Sequence, residues 1–188
     1  MRRNLLTAVL YTLVTTALLG IGYPLVITGL AQIMFHDKAN GSLIRRDGVL
    51  VGSRLIGQPF TGPEYFHSRP SAAGSGYDAA DSGGSNHGPT SRKFIDRIEG
   101  DAEALSAEHP EQPVPIDLVT ASGSGLDPDI TPAAAAFQLS TVARSRGMTE
   151  AEVRAAVARH TQPRQFGVLG EPRVNVLELN LDLDGKSK

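Results

Sequence analysis

The sequence contains no cysteine and no tryptophan, and aromatic residues make up only 5% of its 188 positions. Without cysteine there is neither a disulfide framework nor a thiolate metal site, and either a reducing or an oxidising compartment is suitable. With so few aromatic side chains, the core must consist of leucine, valine, isoleucine and alanine. Charge is also absent from one long stretch, since no charged residue occurs from Asn4 to Phe35.

This uncharged stretch predicts a single transmembrane helix over Leu5–Phe35. At about 1.5 Å per residue, such a helix is longer than the roughly 30 Å of hydrocarbon in a bilayer. A short basic N-terminus, residues 1–4, precedes it. The alternative is a cleavable signal peptide, because Arg2 and Arg3 form a basic start and Gly29-Leu30-Ala31 is a small-x-small triplet. The apolar core of a signal peptide runs only about 7–15 residues, however, which favours the membrane span.

Small and polar residues interrupt this apolar stretch. Thr16 and Gly20 have the small-xxx-small spacing that lets two helix backbones approach each other. Pro24 lacks an amide hydrogen and frees the carbonyl of Gly20, which predicts a kink near Pro24. Glycine and proline are also commoner in membrane helices generally. We interpret Thr16, Gly20 and Pro24 as a surface that packs against a partner helix.

The charges on either side of the stretch bear on its orientation. Arg2, Arg3 and the terminal amine precede it, while Lys38, Arg45, Arg46 and Arg54 follow within about 20 residues, so the positive-inside rule gives almost a tie. Large domains cross membranes regardless of charge, whereas a short basic N-terminus is readily retained inside. We therefore expect a cytoplasmic N-terminus and an extracytoplasmic C-terminal domain.

Residues 36–188 have the size of one domain. The whole chain carries a net charge of −2, and its first 35 residues contain two arginines and no acids, so this domain is acidic. An acidic domain has no electrostatic reason to bind nucleic acid. The fold class we predict is a membrane-anchored α/β (α+β) protein, with one N-terminal transmembrane helix followed by a single soluble mixed α/β domain.

The first half of this domain reads as a hairpin and a long loop. Asp47-Gly48 is a turn dipeptide between Ser42–Ile44 and Val49–Ile56, which predicts a β-hairpin. The stretch Gly57–Pro89 is rich in glycine, serine, proline and aspartate and has no apolar periodicity. Its aromatic residues indicate an ordered loop, and loops of this length are usually functional or disordered.

The second half has helical signals. A helix is expected from Ser91 to before Pro110, and Pro113–Val119 suits a short strand. Further helices are expected after the cap Thr131 and after the capping box Thr149-x-x-Glu152. In the tail Val174–Leu183, apolar residues alternate as in a strand, but Glu171-Pro172 is equally suited to start a short helix. Both readings of the tail stay open.

One glycine-rich segment suggests anion binding. Ser82, Gly83, Gly84, Ser85 and Asn86 lie shortly before the helix expected at Ser91. Converging backbone amides and a helix start together attract an anion or nucleotide phosphate. A tight structural turn is the alternative, because a glycine cluster alone is a weak signal. No G-x-x-x-x-G-K-[ST] sequence occurs, so this is not a Walker loop.

Motifs for catalysis are missing. Histidines and acids are scattered without the spacing of metal ligands such as H-E-x-x-H, and we expect no metal site. There is no G-x-S-x-G nucleophile elbow, so an anchored hydrolase lacks any motif. On its residues alone, the chain does not look like an enzyme.

Several blocks, in order and over nearly the whole chain, resemble the C subunit family of the Kdp potassium-transporting P-type ATPases. They are Tyr23-Pro24, Gly41–Ile44, Val51–Ser53, Leu55–Gln58, Tyr65–Ser71, Ser82–Asn86, Thr120–Pro128, Ala143–Gly147, His160-Thr161, Leu169–Val176 and Leu179-Asn180. One departure is Asp182, where the family pattern leads us to expect a small apolar residue. It leaves the conformation of the tail in question.

The resemblance implies an accessory subunit of an ATP-driven potassium importer in a bacterial inner membrane, without activity or cofactor of its own. Its partners would be a channel-like potassium-translocating subunit, an ATP-hydrolysing subunit and the lipid bilayer. The family is also described as a catalytic chaperone that raises the ATP affinity of the hydrolysing subunit, with the Gly-Gly block as nucleotide contact. An extracytoplasmic domain cannot meet cytoplasmic ATP, so that role conflicts with the expected orientation. The alternative function is a membrane-anchored nucleotide-binding module that uses Ser82–Asn86.

Overall fold

The structure is a computed structural model that describes residues 1–185, in which the chain forms two compact units. The first unit is Met1–Leu50 and the second begins at Val51. The first contains an apolar helix, and the second is an α+β domain. The predicted domain 36–188 extends to residues 186–188, which lie outside the described residues.

The N-terminal helix is confirmed and runs without a break from Arg2 to Met34. It consists of α1 (Arg2–Thr15), a π-helical segment (Thr16–Gly22) and α2 (Tyr23–Met34). The π-helical segment ends directly before Tyr23-Pro24, and proline lies in the first turn of α2. A change of hydrogen-bond register next to proline is one way in which a helix absorbs the missing amide. The kink at Pro24 itself stays a prediction.

The helix ends at Phe35, whose φ of −138° is not helical. A four-residue helix follows, α3 (His36–Ala39). Two hydrogen bonds join the side-chain amides of Gln32 and Asn40, with N–O distances of 3.0 and 3.3 Å. The end of the long helix is thus fixed by the residues that come directly after it.

The predicted hairpin is also confirmed. The strands β1 (Leu43–Arg46) and β2 (Val49–Ser53) form a two-stranded sheet, and β2 ends three residues before the predicted limit. Asp47 and Gly48, between the strands, have φ values of 50° and 80°. Two successive positive φ angles match the twist of a two-residue hairpin turn, which is why an Asp-Gly pair predicts it.

Among its described residues, the α+β domain contains four α-helices and three short strands outside the hairpin. In chain order they are α4 (Arg92–Glu108), β3 (Asp129–Ile130), α5 (Pro132–Arg146), α6 (Glu150–His160), β4 (Thr161–Gln162), β5 (Arg173–Asn175) and α7 (Val176–Asp184). The strands form an antiparallel sheet in the order β3-β5-β4. Its central strand leads directly into α7.

The predicted helix boundaries follow from local capping. The Thr131 hydroxyl accepts a hydrogen bond from the Ala134 amide at 3.0 Å and begins α5. Gly147 ends α5 in a left-handed conformation with φ 63°. At α6 the capping box is complete, because Thr149 and Glu152 each accept a hydrogen bond from the other's backbone amide. These signals are local, and all were confirmed.

One expectation was wrong. Pro113–Val119 is not a strand, since its described structure is a 3₁₀ turn at Ile116–Leu118. Asp117 is buried there, and its carboxylate accepts hydrogen bonds from the amide and the hydroxyl of Thr131 at 2.8 and 3.2 Å. These hydrogen bonds from Thr131 hold the segment in place, so it does not need to pair with a neighbouring strand.

The tail combines both readings that the sequence allowed. Arg173–Asn175 is a strand, and a helix begins at Val176, later than Glu171-Pro172 suggested. The strand gives way to a helix at Asn175, because the Asn175 side chain accepts a hydrogen bond from the Glu178 amide and caps the helix N-terminus. Asp182, which departs from the family pattern, accepts a 2.7 Å hydrogen bond from Arg159 of α6 and lies 3.2 Å from His160 Nε2.

The core forms where the sheet meets α5, α6 and α7, and it consists mainly of alanine, valine and leucine. The stretch Gly57–Pro89 contains no helix or strand, as expected. It is nevertheless fixed to the core, because Phe66 is fully buried. Asn180 of α7 accepts a hydrogen bond from the Phe66 amide and donates one to its carbonyl, both at 2.9 Å.

Candidate functional site

The glycine-rich segment Ser82–Asn86 lies against a second loop, Thr120–Asp127. The Ser124 carbonyl accepts two hydrogen bonds, from the Gly83 amide and from the Ser82 hydroxyl, both at 2.9 Å. The structure therefore brings together two blocks that are about forty residues apart in the sequence. We call this arrangement the paired loops.

Backbone approaches backbone so closely in the paired loops that glycine is required. A Cβ atom on Gly84 would lie 2.9 Å from the Gly123 carbonyl oxygen. A Cβ on Gly125 would lie 2.6 Å from the Gly83 carbonyl oxygen, and Gly125 has a positive φ of 67°. By contrast, a Cβ on Gly83 would meet nothing within 4 Å. Part of the glycine signal in the sequence is thus explained by packing.

A third segment, Arg69–Tyr77, supports the paired loops. The Ser71 hydroxyl donates to the Gly125 carbonyl at 2.6 Å and accepts from the Tyr77 amide at 2.7 Å. Arg69 donates to Asp127 at 3.2 Å and to the carbonyl and hydroxyl of Thr120 at 3.3 Å. No sequence pattern singled out these side chains as supports, because their partners in the paired loops are more than fifty residues away.

Three amides of the glycine-rich segment remain available. Within the described residues, no hydrogen bond engages the amides of Gly84, Ser85 and Asn86. Asn86 has a positive φ of 52°, so the chain turns at this point. Helix α4 begins later, after the cap Ser91, and no lysine or arginine occurs from Ser82 to Pro89. The segment therefore offers amide donors, but its own sequence supplies no cation for a phosphate.

The residues expected to pack on a partner helix all lie on the exposed N-terminal helix. None of the residues of α1, the π-helical segment or α2 is buried. Thr16 and Gly20 fall in the π-helical segment, where a Cβ on Gly20 would meet Thr16 Cγ2 at an ordinary 3.7 Å. The helix is long and apolar enough to cross a membrane. Its small residues are thus available to a partner.

No cluster able to hold a metal ion comes together among residues 1–185. Groups of three or more His, Cys, Asp and Glu side chains placed to hold a metal ion do not occur in this part of the chain. His67 and His109 are bound by neighbouring groups, with ring nitrogens 3.0 Å from the Gly62 carbonyl oxygen and 3.3 Å from the Thr141 hydroxyl.

Fold and site together define a class: an α+β domain with one N-terminal helix able to cross a membrane and a pair of glycine loops on its surface. A family model described as "KdpC: K+-transporting ATPase, c chain" matches residues 5–185. The chain therefore belongs to the KdpC family, as its sequence blocks indicated.

Curated relatives are similar along nearly the full chain, and each carries the name potassium-transporting ATPase KdpC subunit. The relative from Koribacter versatilis is 64% identical over 98% of this chain and 96% of its own length. Those from Acidobacterium capsulatum and Gemmatimonas aurantiaca are 58% and 56% identical, and cover 96% and 100% of this chain and 97% and 95% of their own lengths.

Proposed function

We propose that the chain is a non-catalytic accessory subunit of an ATP-driven potassium-import complex, and that it contributes to assembly and stability. One observation carries the proposal: the 33-residue apolar helix has none of its residues buried by the rest of the chain. Such a surface requires lipid or other helices around it. The family and the names of the relatives supply the identity of the complex.

The proposed partners are a channel-like potassium-translocating subunit and an ATP-hydrolysing subunit. The helix packs on their membrane spans through Thr16, Gly20 and Pro24, because small residues let helix backbones approach. The complex lies in a bacterial inner membrane, with Arg2 and Arg3 in the cytoplasm and the α+β domain outside. A topology reporter fused after Lys188 tests the orientation, and activity of a cytoplasmic reporter would contradict it.

Substitutions at two glycines of the helix test the docking surface. Gly20→Leu should reduce co-purification of the chain with its partner subunits, since a large side chain separates the backbones. Gly29→Leu is the matched control, because nine positions correspond to about half a turn in rotation, which places it on the opposite face. A Cβ on Gly29 meets nothing within 4 Å, so this change is tolerated. Equal co-purification of the two variants would contradict the proposal.

A second candidate function is a chaperone or nucleotide-binding module that contacts ATP through Ser82–Asn86. Three unengaged amides in this segment support it, because backbone amides bind phosphate oxygens. It requires the α+β domain to be cytoplasmic, so it excludes the orientation above. The same reporter at Lys188 therefore separates the two proposals.

Nucleotide binding by the full chain in detergent tests this second candidate. Gly84→Val is unsuitable as a probe, because a side chain there meets the Gly123 carbonyl and disturbs the paired loops. Pro substitution removes an amide directly, and Ser85→Pro removes one from the proposed contact. Saturable ATP binding that Ser85→Pro weakens would support the contact, whereas no binding by the unmodified chain would refute it.

A further inference from the structure

The α+β domain has a cleft of about 430 Å³ that lies apart from the paired loops. Its walls come from the segment 62–68, from α4 with His109, and from α5. Buried apolar side chains contribute to it, namely Leu118, Phe137 and Val142. Concave sites of 300–1,000 Å³ with apolar linings are typical of small-molecule binding.

Polar groups around the cleft are held in place before any ligand arrives. Gln138 accepts a hydrogen bond from the His67 amide at 2.8 Å and donates one to its carbonyl at 3.2 Å. His109 packs edge-on against Phe137, with ring centroids 4.5 Å apart. Its Nε2 lies 3.3 Å from the Thr141 hydroxyl. A lining fixed in this way loses little conformational entropy when a ligand binds.

The charge of the lining selects among ligands. Among the described residues, Glu108 is the only Asp, Glu, Lys or Arg that lines the cleft, and two histidines, His67 and His109, also line it. No lysine or arginine occurs between Arg97 and Arg144, a stretch that supplies α4 beyond its first turns and most of α5. The cleft therefore disfavours anions such as nucleotide phosphates.

The nearby Arg146 does not neutralise the negative charge of Glu108. Arg146 lies over the ring of Tyr65, another lining residue, at 5.1 Å from the ring centroid. Its guanidinium is paired with Asp184 at 2.9 Å, and its side chain is only 3% exposed. The negative charge of Glu108 is therefore the one that an entering ligand meets.

We propose that this cleft is a binding site for a small organic cation, an ammonium group on one apolar ring. The ring lies on Leu118, Phe137 and Val142, and the ammonium group faces Glu108. The site is independent of the proposed subunit role, because all its residues belong to the α+β domain.

Three probes with the same ring test the charge preference. Benzylammonium, benzyl alcohol and benzoate are titrated into the full-length chain in detergent micelles, and backbone amide shifts are followed by NMR. We expect saturable shifts at Phe137 and Thr141 with benzylammonium, weaker binding of the alcohol and none of benzoate. Equal affinity for all three probes, or shifts confined to the N-terminal helix or the paired loops, would overturn the proposal.

A variant then tests the ionic contact. Glu108→Gln should weaken benzylammonium binding about three- to fivefold, the range of an exposed ion pair, and leave the alcohol unchanged. Glu111→Gln is the matched control, since Glu111 is exposed like Glu108 but does not line the cleft. Unchanged benzylammonium affinity in Glu108→Gln would refute the assignment.

Discussion

Asn180 and Gln138 make the same contact in different surroundings. Each side-chain amide accepts from the amide and donates to the carbonyl of one residue in the long loop, Phe66 for Asn180 and His67 for Gln138. Asn180 and Phe66 are both fully buried, whereas His67 is exposed. Water can replace the Gln138 contact but not that of Asn180.

This difference leads to a prediction on stability. Asn180→Ala should lower the free energy of unfolding by about 2–4 kcal/mol, because it leaves a buried N–H and a buried C=O unsatisfied. Gln138→Ala, the matched control, should cost less than about 1 kcal/mol. Chemical denaturation of the full chain in detergent measures both. Equal losses in the two variants would contradict this account of the loop anchor.

Asp129 should give stability an unusual dependence on pH. Burial raises the pKa of its carboxyl above the ordinary value, and the hydrogen bond from Asn175 and the charge of Arg173 only partly offset this. The folded state therefore takes up a proton at a higher pH than the unfolded state, so this group's contribution to stability grows as pH falls through the raised pKa. Aspartates with a depressed pKa behave in the opposite way.

The free energy of unfolding of the native chain and of Asp129→Asn, measured between pH 7 and pH 4, tests the sign. The native chain should gain stability relative to the variant as pH falls over this interval. The variant also loses the ion pair between Asp129 and Arg173, which adds a constant offset to its free energy of unfolding. The test is therefore how the difference in free energy between the two proteins changes with pH. A native chain that loses stability relative to the variant towards pH 4 would contradict the assignment.

The paired loops depend on glycine at some positions and not at others. Gly84→Ala should lower the free energy of unfolding by about 1–3 kcal/mol, since its Cβ would lie 2.9 Å from a backbone carbonyl oxygen. The neighbouring Gly83→Ala should change it by less than about 0.5 kcal/mol, because nothing lies within 4 Å of that Cβ. The comparison needs only thermal or chemical unfolding curves. A Gly83→Ala loss as large as that of Gly84→Ala would refute the proposed packing.

Elements with local signals could be predicted from the sequence, whereas elements that depend on distant partners could not. The Asp47-Gly48 turn, the Thr131 cap and the Thr149–Glu152 capping box each act within four residues, and all were confirmed. Pro113–Val119 was wrong, because Asp117 is anchored by Thr131, fourteen positions away. The N-cap Asn175, by contrast, was a local signal that the alternating apolar pattern hid.

The candidate sites also differ in how much of each could be predicted from local sequence. Ser82–Asn86 stood out as a glycine cluster, but its packing against Thr120–Asp127 became visible only in the structure. The cleft has no sequence signature, because Ser68, Glu108 and Phe137 come from three separate segments. Its acidic character was nevertheless present in the sequence as the absence of lysine and arginine between Arg97 and Arg144.

For the whole molecule, the central claim is that the N-terminal helix both anchors the chain and docks it to partner subunits. A plain apolar helix would be sufficient for anchoring, since any stretch of about 20 apolar residues spans a bilayer. Docking requires in addition the small residues that let helices approach closely. Replacing residues 5–35 by a leucine-alanine helix of equal length separates the two roles.

The decisive measurement is the yield of partner subunits that co-purify with this chimaera from detergent-solubilised membranes, relative to the native chain. We expect the chimaera to remain in the membrane fraction and to lose most of the co-purifying partner subunits. A chimaera that co-purifies with its partners as well as the native chain does would contradict the account.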